Sequence, residues 1–142
     1  MVSELVGNLL TQRYRNKKGE IHLITLDDIL VVTPYNMQVN LLKHMLSKGA
    51  RVGTVDKFQG QEAEVVIVSM ATSSGEYLPR FIDFLFSRNR LNVAISRARC
   101  FAILLCNKKL TDVIGAKVLQ ISQINNLNRL VHFSRVQNSL ER

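Results

Sequence analysis

Three polar stretches carry residue types suited to holding an anionic ligand, and each borders an apolar run. The first, Asp56-Lys57-Phe58-Gln59-Gly60-Gln61-Glu62, sets one glycine among amides, carboxylates and a lysine. Gln59 and Glu62 offer hydrogen-bonding groups and Lys57 a charge, while Gly60 permits positive φ or close backbone approach. Gly60 alone would more often mark an ordinary turn; the whole polar run between two apolar strands favours a loop that faces a ligand. The second stretch, Asn89–Arg99, contains Arg90, Arg97 and Arg99. Read as a helix, it has a narrow apolar stripe of Leu91, Ala94, Ile95 and Ala98. Arg90 and Arg97, seven apart, project from nearly one flank and Arg99 from the other. A solvated basic face is the commoner fate of such arginines, but this helix runs straight into an apolar strand, which holds them near a sheet. The third stretch is Thr33-Pro34-Tyr35, at the end of a β-branched run.

The elements that must position these residues follow from apolar periodicity. Residues 2–16 read as a helix with Val2, Leu5, Val6, Leu9 and Leu10 on one side, and Arg13–Glu20 as its solvated end and a basic turn. Ile29–Val32 is continuous and β-branched, as in a strand buried on both faces. Asn36 is the expected N-cap of a helix whose face is Met37, Leu41, Leu42, Met45 and Leu46, with Gly49 as its stop. Strands are expected at Arg51–Val55, Val65–Val68 and Cys100–Cys106, a polar loop over 72–80, and a helix over 87–99. From about residue 109 the chain reads as helical until Asn125-Asn126, with a polar tail after it. Strands alternating with helices imply an α/β fold, a parallel sheet with helices on both faces. In such sheets ligands bind beyond the carboxyl ends of the strands, where the three polar stretches are expected to lie.

Bulk properties narrow the classes further. A chain of 142 residues suits one domain with a core, and 46% apolar content argues against extended disorder. Nineteen basic residues against eleven acidic ones give a net charge of +8, which favours polyanionic partners through counterion release. Cys100 and Cys106 fall on one face of a single strand and read as buried reduced thiols. With His22, His44 and His132 scattered, no metal site is expected. No run suits a bilayer span and no signal peptide is visible, so the expected compartment is the cytosol, cytoplasmic and away from membranes.

Taken together, Val52–Glu62 followed by Val65–Ser69 resembles motif V of superfamily 1B helicases. Leu91-Asn92-Val93-Ala94-Ile95-Ser96-Arg97-Ala98-Arg99 resembles their motif VI, and Thr33-Pro34-Tyr35 with Gln38 their motif IV. Order and spacing are similar to the second RecA-like domain of the branch that holds the nonsense-mediated-decay helicase and the Okazaki-fragment helicase-nuclease. The match covers roughly residues 26–108. It also resembles bacterial proteins in which this motor follows a RecB-like nuclease, a fused partner the resemblance extends to.

The resemblance implies an ATP-dependent helicase or translocase on single-stranded nucleic acid, DNA in the first place and RNA in the second, moving 5′ to 3′. It makes Arg97 the arginine finger, catalytic and nucleotide-binding. Gln59, Gly60 and Glu62 would join it at the nucleotide, Glu62 by accepting a ribose hydroxyl. Thr33, Tyr35, Thr54 and Lys57 would meet the nucleic acid, and Arg90 and Arg99 stay open between phosphate contact and structural pairing.

A phosphate loop of the G-x-x-x-x-G-K-[ST] type is absent, and no apolar strand ends in an Asp-Glu pair. ATP and Mg²⁺ would therefore be held mainly by a first RecA-like domain of the same protein, and this chain alone would not hydrolyse ATP. The expected organisation is one second motor domain over 1–142, itself incomplete or whole. A leading helix and basic turn occupy 1–25, and a helical segment with a polar tail 110–142. Two rivals stand beside this reading. One is a non-catalytic nucleic-acid-binding module derived from a helicase; the other is an α/β protein for a small phosphorylated ligand or a partner protein.

Overall fold

The computed structural model describes residues 1–70, 87–106 and 118–140. These divide into two compact units, one of residues 1–70 with 92–105, the other of residues 87–91, 106 and 118–140.

The first unit is built on a four-stranded parallel sheet. Its strands are β3 (Ile29–Val32), β4 (Arg51–Gly53), β5 (Ala63–Ser69) and β6 (Ala98–Leu105), in the order β4-β3-β5-β6. All neighbouring pairs run parallel. The apolar runs that suggested strands occupy its centre: Leu30, Val65, Val66 and Ile67 are fully buried. Each such side chain contributes about 1.5–3 kcal/mol relative to staying in water. On one face Ile29, Val31, Val65, Ile67 and Val52 pack with Val6 of α1 (Val2–Leu9) and with Val39, Leu42 and Leu46 from α2 (Asn36–Met45) and its end. Leu30, Val32, Val66 and Val68, which point the other way, are as deeply buried, so both faces are covered. The fold is α/β, as the alternation of elements implied, and RecA-like, as the resemblance implied.

Several boundaries differ from the sequence reading. The first helix ends at Leu9, and Arg13–Arg15 (β1) instead pairs antiparallel with Ile21–Leu23 (β2). Asn16 makes that turn: its side-chain oxygen accepts from the backbone N–H groups of Lys18 at 2.9 Å and Glu20 at 3.0 Å. A side chain that offers the backbone such bonds competes with helix. In α2 the cap is Tyr35 and not Asn36. Met37, Leu41 and Met45 stay exposed while Val39, Leu42 and Leu46 face the sheet. The expected face was thus right at Leu42 and Leu46 and missed Val39, because the apolar residues of this helix fall on two adjacent stripes. The strand after Gly49 is shorter than expected, ending at Gly53.

The helix expected over 87–99 stops at Ile95 (α3, Arg88–Ile95), and β6 begins at Ala98. Arg97 therefore sits in the connection and Arg99 on the strand, so the helical flank shared by Arg90 and Arg97 does not exist. β6 is the sheet's edge in the described residues, and Cys100 on it is exposed instead of buried. In the second unit, α4 (Val118–Leu140) runs through Asn125-Asn126 without a break. Asparagine costs a helix well under about 1 kcal/mol, and the neighbouring Ile124 and Leu127 are buried. The polar loop expected over 72–80 lies outside the described residues, as do 107–117. Among the described residues no helix is long and apolar enough to cross a membrane.

Candidate functional site

The connection from β4 to β5 decides where the polar residues go. It starts at the carboxyl end of β4, forms a 3-10 turn over Asp56–Phe58, and returns to the amino end of β5 at Ala63. Phe58 is buried and anchors the crossover. A side chain at Gly53 would meet its ring at 3.0 Å, so the glycine there leaves room for Phe58.

After Phe58 the chain reverses in a type II turn. Gln59 has φ −59° and ψ 125°, Gly60 has φ 77°, and the Gln61 N–H donates to the Phe58 carbonyl at 3.0 Å. This geometry demands positive φ at its third position, which explains the glycine. Nothing lies within 4 Å of a side chain built at Gly60, so the requirement is conformational and not spatial. Gly60→Ala is accordingly expected to lower stability by about 1–2 kcal/mol, the left-handed penalty for an L-residue. A shifted midpoint in urea denaturation with unchanged slope would show it; an unchanged midpoint would contradict the turn.

This crossover sorts the sequence-derived candidates into two groups at opposite ends of the sheet. The seven residues of β5 separate the ends by roughly 20 Å. At the carboxyl end lie Thr33, Tyr35, Thr54 and, above Gly53, Lys57. Thr33 is fully buried. Its hydroxyl donates to the Gln38 side-chain oxygen, and the Gln38 amide donates to the Ser69 hydroxyl at 2.9 Å. Thus Thr33 ties the ends of β3, α2 and β5 together. Tyr35 is half-buried, and burial pushes its phenol pKa up. Lys57 is exposed, with its ammonium 5.9 Å from the centre of the Phe58 ring.

At the amino end lie Glu62 and Arg97, with Gly60 in the turn leading there and Gln59 exposed beside it. The expectation that all three polar stretches gather at the carboxyl ends is corrected here: the crossover carries its second half across the sheet. Backbone pairing puts Arg97 next to this loop, since the Ala63 N–H donates to the Arg97 carbonyl at 3.0 Å. The Arg97 guanidinium has no ion pair among the described residues, and its Nε is buried without a hydrogen bond there. Arg99 is committed instead: it reaches Glu62 at 3.1 Å and Glu64 at 3.4 Å. The hydrogen bonds it donates to Glu62 first and then to Glu64 raise its pKa above the ordinary arginine value. Arg99 thus pairs structurally.

A β-bulge explains the cluster. The register of β5 with β6 shifts between Ala63 and Val65, so Arg99 and Cys100 both lie opposite Glu64. The Cys100 thiol donates to Glu64 Oε2 at 3.1 Å. Burial of the sulfur first, then this hydrogen bond and the carboxylate's charge, raise the thiol pKa. Thiolate thus forms only at higher pH than for an ordinary cysteine, and Cys100 should alkylate slowly near neutrality although exposed. Glu64→Gln is expected to move the iodoacetamide rate profile of Cys100 to lower pH. A profile indifferent to that change would refute the contact.

Sequence reasoning passed over Arg51 and Gln61 as functional positions. Arg51, first in β4, donates to the Asp27 carbonyl at 2.6 Å and to the Gln61 side-chain oxygen at 2.9 Å, pinning the end of the turn. Nothing in an isolated arginine at a strand start signals this; the parallel register brings them together.

Comparison with known proteins gives the chain's family. A family model described as an AAA domain matches residues 1–109. An uncharacterised ATP-dependent helicase of Caenorhabditis elegans is 34% identical over 142 residues, 99% of this chain and 7% of that protein. The DNA polymerase alpha-associated DNA helicase A of Schizosaccharomyces pombe is 48% identical over 75 residues, 51% of this chain and 11% of its own. The DNA-binding protein SMUBP-2 of Mesocricetus auratus is 35% identical over 112 residues, 67% of this chain and 11% of its own. The chain spans roughly a tenth of the length of these relatives.

Proposed function

We propose, for a chain that belongs to the AAA-domain family and is a superfamily 1 helicase domain, that it acts as the second motor domain of an ATP-driven translocase on single-stranded nucleic acid. The observation that carries this reading is the state of Arg97. A guanidinium kept out of any ion pair among the described residues, beside the Gly60–Glu62 loop, is available to a phosphate brought by another part of the protein. Its task there would be to neutralise charge that builds on the transferred phosphoryl group.

The residues fit a nucleotide at this end of the sheet. Glu62 gives Oε2 to Arg99, and Oε1 has no partner among the described residues, so it can accept a ribose hydroxyl. Gly60 exposes backbone at the tip of the same loop. Among the described residues no group of three His, Cys, Asp or Glu side chains could hold a metal ion. By the motif resemblance, Mg²⁺ and the phosphate grip would belong to a first RecA-like domain, and no step here runs through the metal.

The nucleic acid would run at the other end, past Tyr35, Thr54 and Lys57, with Thr33 fixing the strand ends beneath them. Gln59, in the crossover that joins both ends, would pass nucleotide state to that track. A preference for DNA, 5′ to 3′ movement, a fused RecB-like nuclease and a cytosolic setting belong to the same proposal and rest on motif resemblance. The test is Arg97→Ala in the full-length protein. Retained nucleic-acid-stimulated hydrolysis would remove the reading.

A further inference from the structure

We infer that Arg99 is a positioning residue that gives the nucleotide site its preference for a ribose bearing hydroxyls, by clamping Glu62 through the Glu64 side of the β5–β6 bulge. This inference rests on the proposed contact of Glu62 with ribose. Three geometric facts lead to it. Glu62 ends a crossover loop and is exposed, so alone its carboxylate would sample many rotamers. Arg99 contacts it through Nε at 3.1 Å while its NH1 reaches Glu64 at 3.4 Å. Glu64 is the anchored partner: its side chain is only 12% exposed, and its second oxygen accepts from Cys100 at 3.1 Å.

The guanidinium therefore bridges a fixed carboxylate on the strand and a movable one on the loop. The bulge is what makes this possible, since it sets Arg99 and Cys100 together against one residue of β5. The clamp occupies Glu62 Oε2 and leaves Oε1 without a partner among the described residues, and Glu62 lines a groove of about 530 Å³ that the β1–β2 turn also lines. A pre-oriented acceptor loses less rotamer freedom when a hydroxyl arrives. Lysine has one compact ammonium in place of a planar fork, so it can hold one carboxylate well but not both in this geometry.

The experiment is steady-state hydrolysis by the full-length protein, with single-stranded nucleic acid present, comparing ATP with 2′,3′-dideoxy-ATP. The wild type should favour ATP in kcat/KM by roughly ten- to a hundredfold, the range for one hydrogen bond to a charged group. Arg99→Met should raise KM for ATP, leave kcat within about twofold, and lower the preference by roughly two- to tenfold, the cost of ordering a free carboxylate. Arg99→Lys should restore part of it, and Glu64→Gln should leave an intermediate preference, because Arg99 then lacks its charged anchor. Arg99 is half-exposed on an edge strand, so these variants are expected to fold. Arg99→Met with the wild-type preference overturns the clamp while the ribose contact stands. A wild type indifferent to the hydroxyls overturns both, whereas the motor reading is judged separately by Arg97.

Discussion

Arg97→Ala in the full-length protein is expected to lower nucleic-acid-stimulated ATP hydrolysis by roughly 10³–10⁵-fold, with little change in stability. The size follows from the role. A finger acts on charge that exists only as the phosphoryl group is transferred, so its loss falls on kcat, and the range corresponds to about 4–7 kcal/mol of barrier. The small effect on folding follows from the structure. Among the described residues Arg97 is tied to the loop through its backbone carbonyl, which accepts from the Ala63 N–H and is kept in alanine. Its side chain makes no ion pair among the described residues, so truncation strands no buried carboxylate. Arg97→Lys should recover only part of the rate, since an ammonium restores charge without the forked donors. Hydrolysis by Arg97→Ala within tenfold of wild type, in a folded protein, would leave the finger without support.

The contrast with Arg99 shows which parts of the site were readable from sequence. Spacing placed Arg97 and Arg99 on opposite flanks of one helix. The structure ends that helix at Ile95, and separates the two by their partners instead: Arg97 makes no ion pair among the described residues, while Arg99 lies between two acids. The acids come from the loop before β5 and from β5 itself, 37 and 35 residues earlier, and only the register of a parallel pair brings them near. Local pattern cannot carry such information.

The same limit explains the crossover. Gly60 was legible as a residue with a conformational duty, because a glycine in a polar run signals a turn. That this turn delivers Glu62 to the amino end, away from Thr33 and Lys57, depends on the strand order β4-β3-β5. The buried strands, by contrast, were plain. Ile29–Val32 and Val65–Val68 are continuous β-branched runs, and burial on both faces needs nothing else. Edges fared worse: β6 is as apolar as the central strands, yet Cys100 and Phe101 are exposed on it. Composition reports apolar content, not a strand's place in the sheet.

Phe58→Ala is expected to cost about 3–5 kcal/mol, a large share of the 5–15 kcal/mol that holds a typical domain. Phe58 is 4% exposed and is the one buried side chain of the 3-10 turn that opens the crossover. Its loss leaves a cavity and frees the loop bearing Gln59, Gly60 and Glu62, so nucleotide affinity should weaken along with stability. The packing beneath it gives a stricter check. An alanine at Gly53 would lie 3.0 Å from Phe58 Cε2, 3.2 Å from Cζ and 2.7 Å from Lys57 Cδ. Lys57 is exposed and can swing aside, but the ring is enclosed, so Gly53→Ala should cost about 1–3 kcal/mol through overpacking. In a Phe58→Leu background the offending ring atoms are gone. Gly53→Ala should then cost less, with a coupling of about 0.5–3 kcal/mol between the sites, as expected for residues in contact. Urea denaturation of the four proteins measures it. Strictly additive costs would mean that Gly53 is not there to make room for Phe58, and the crossover would need another anchor.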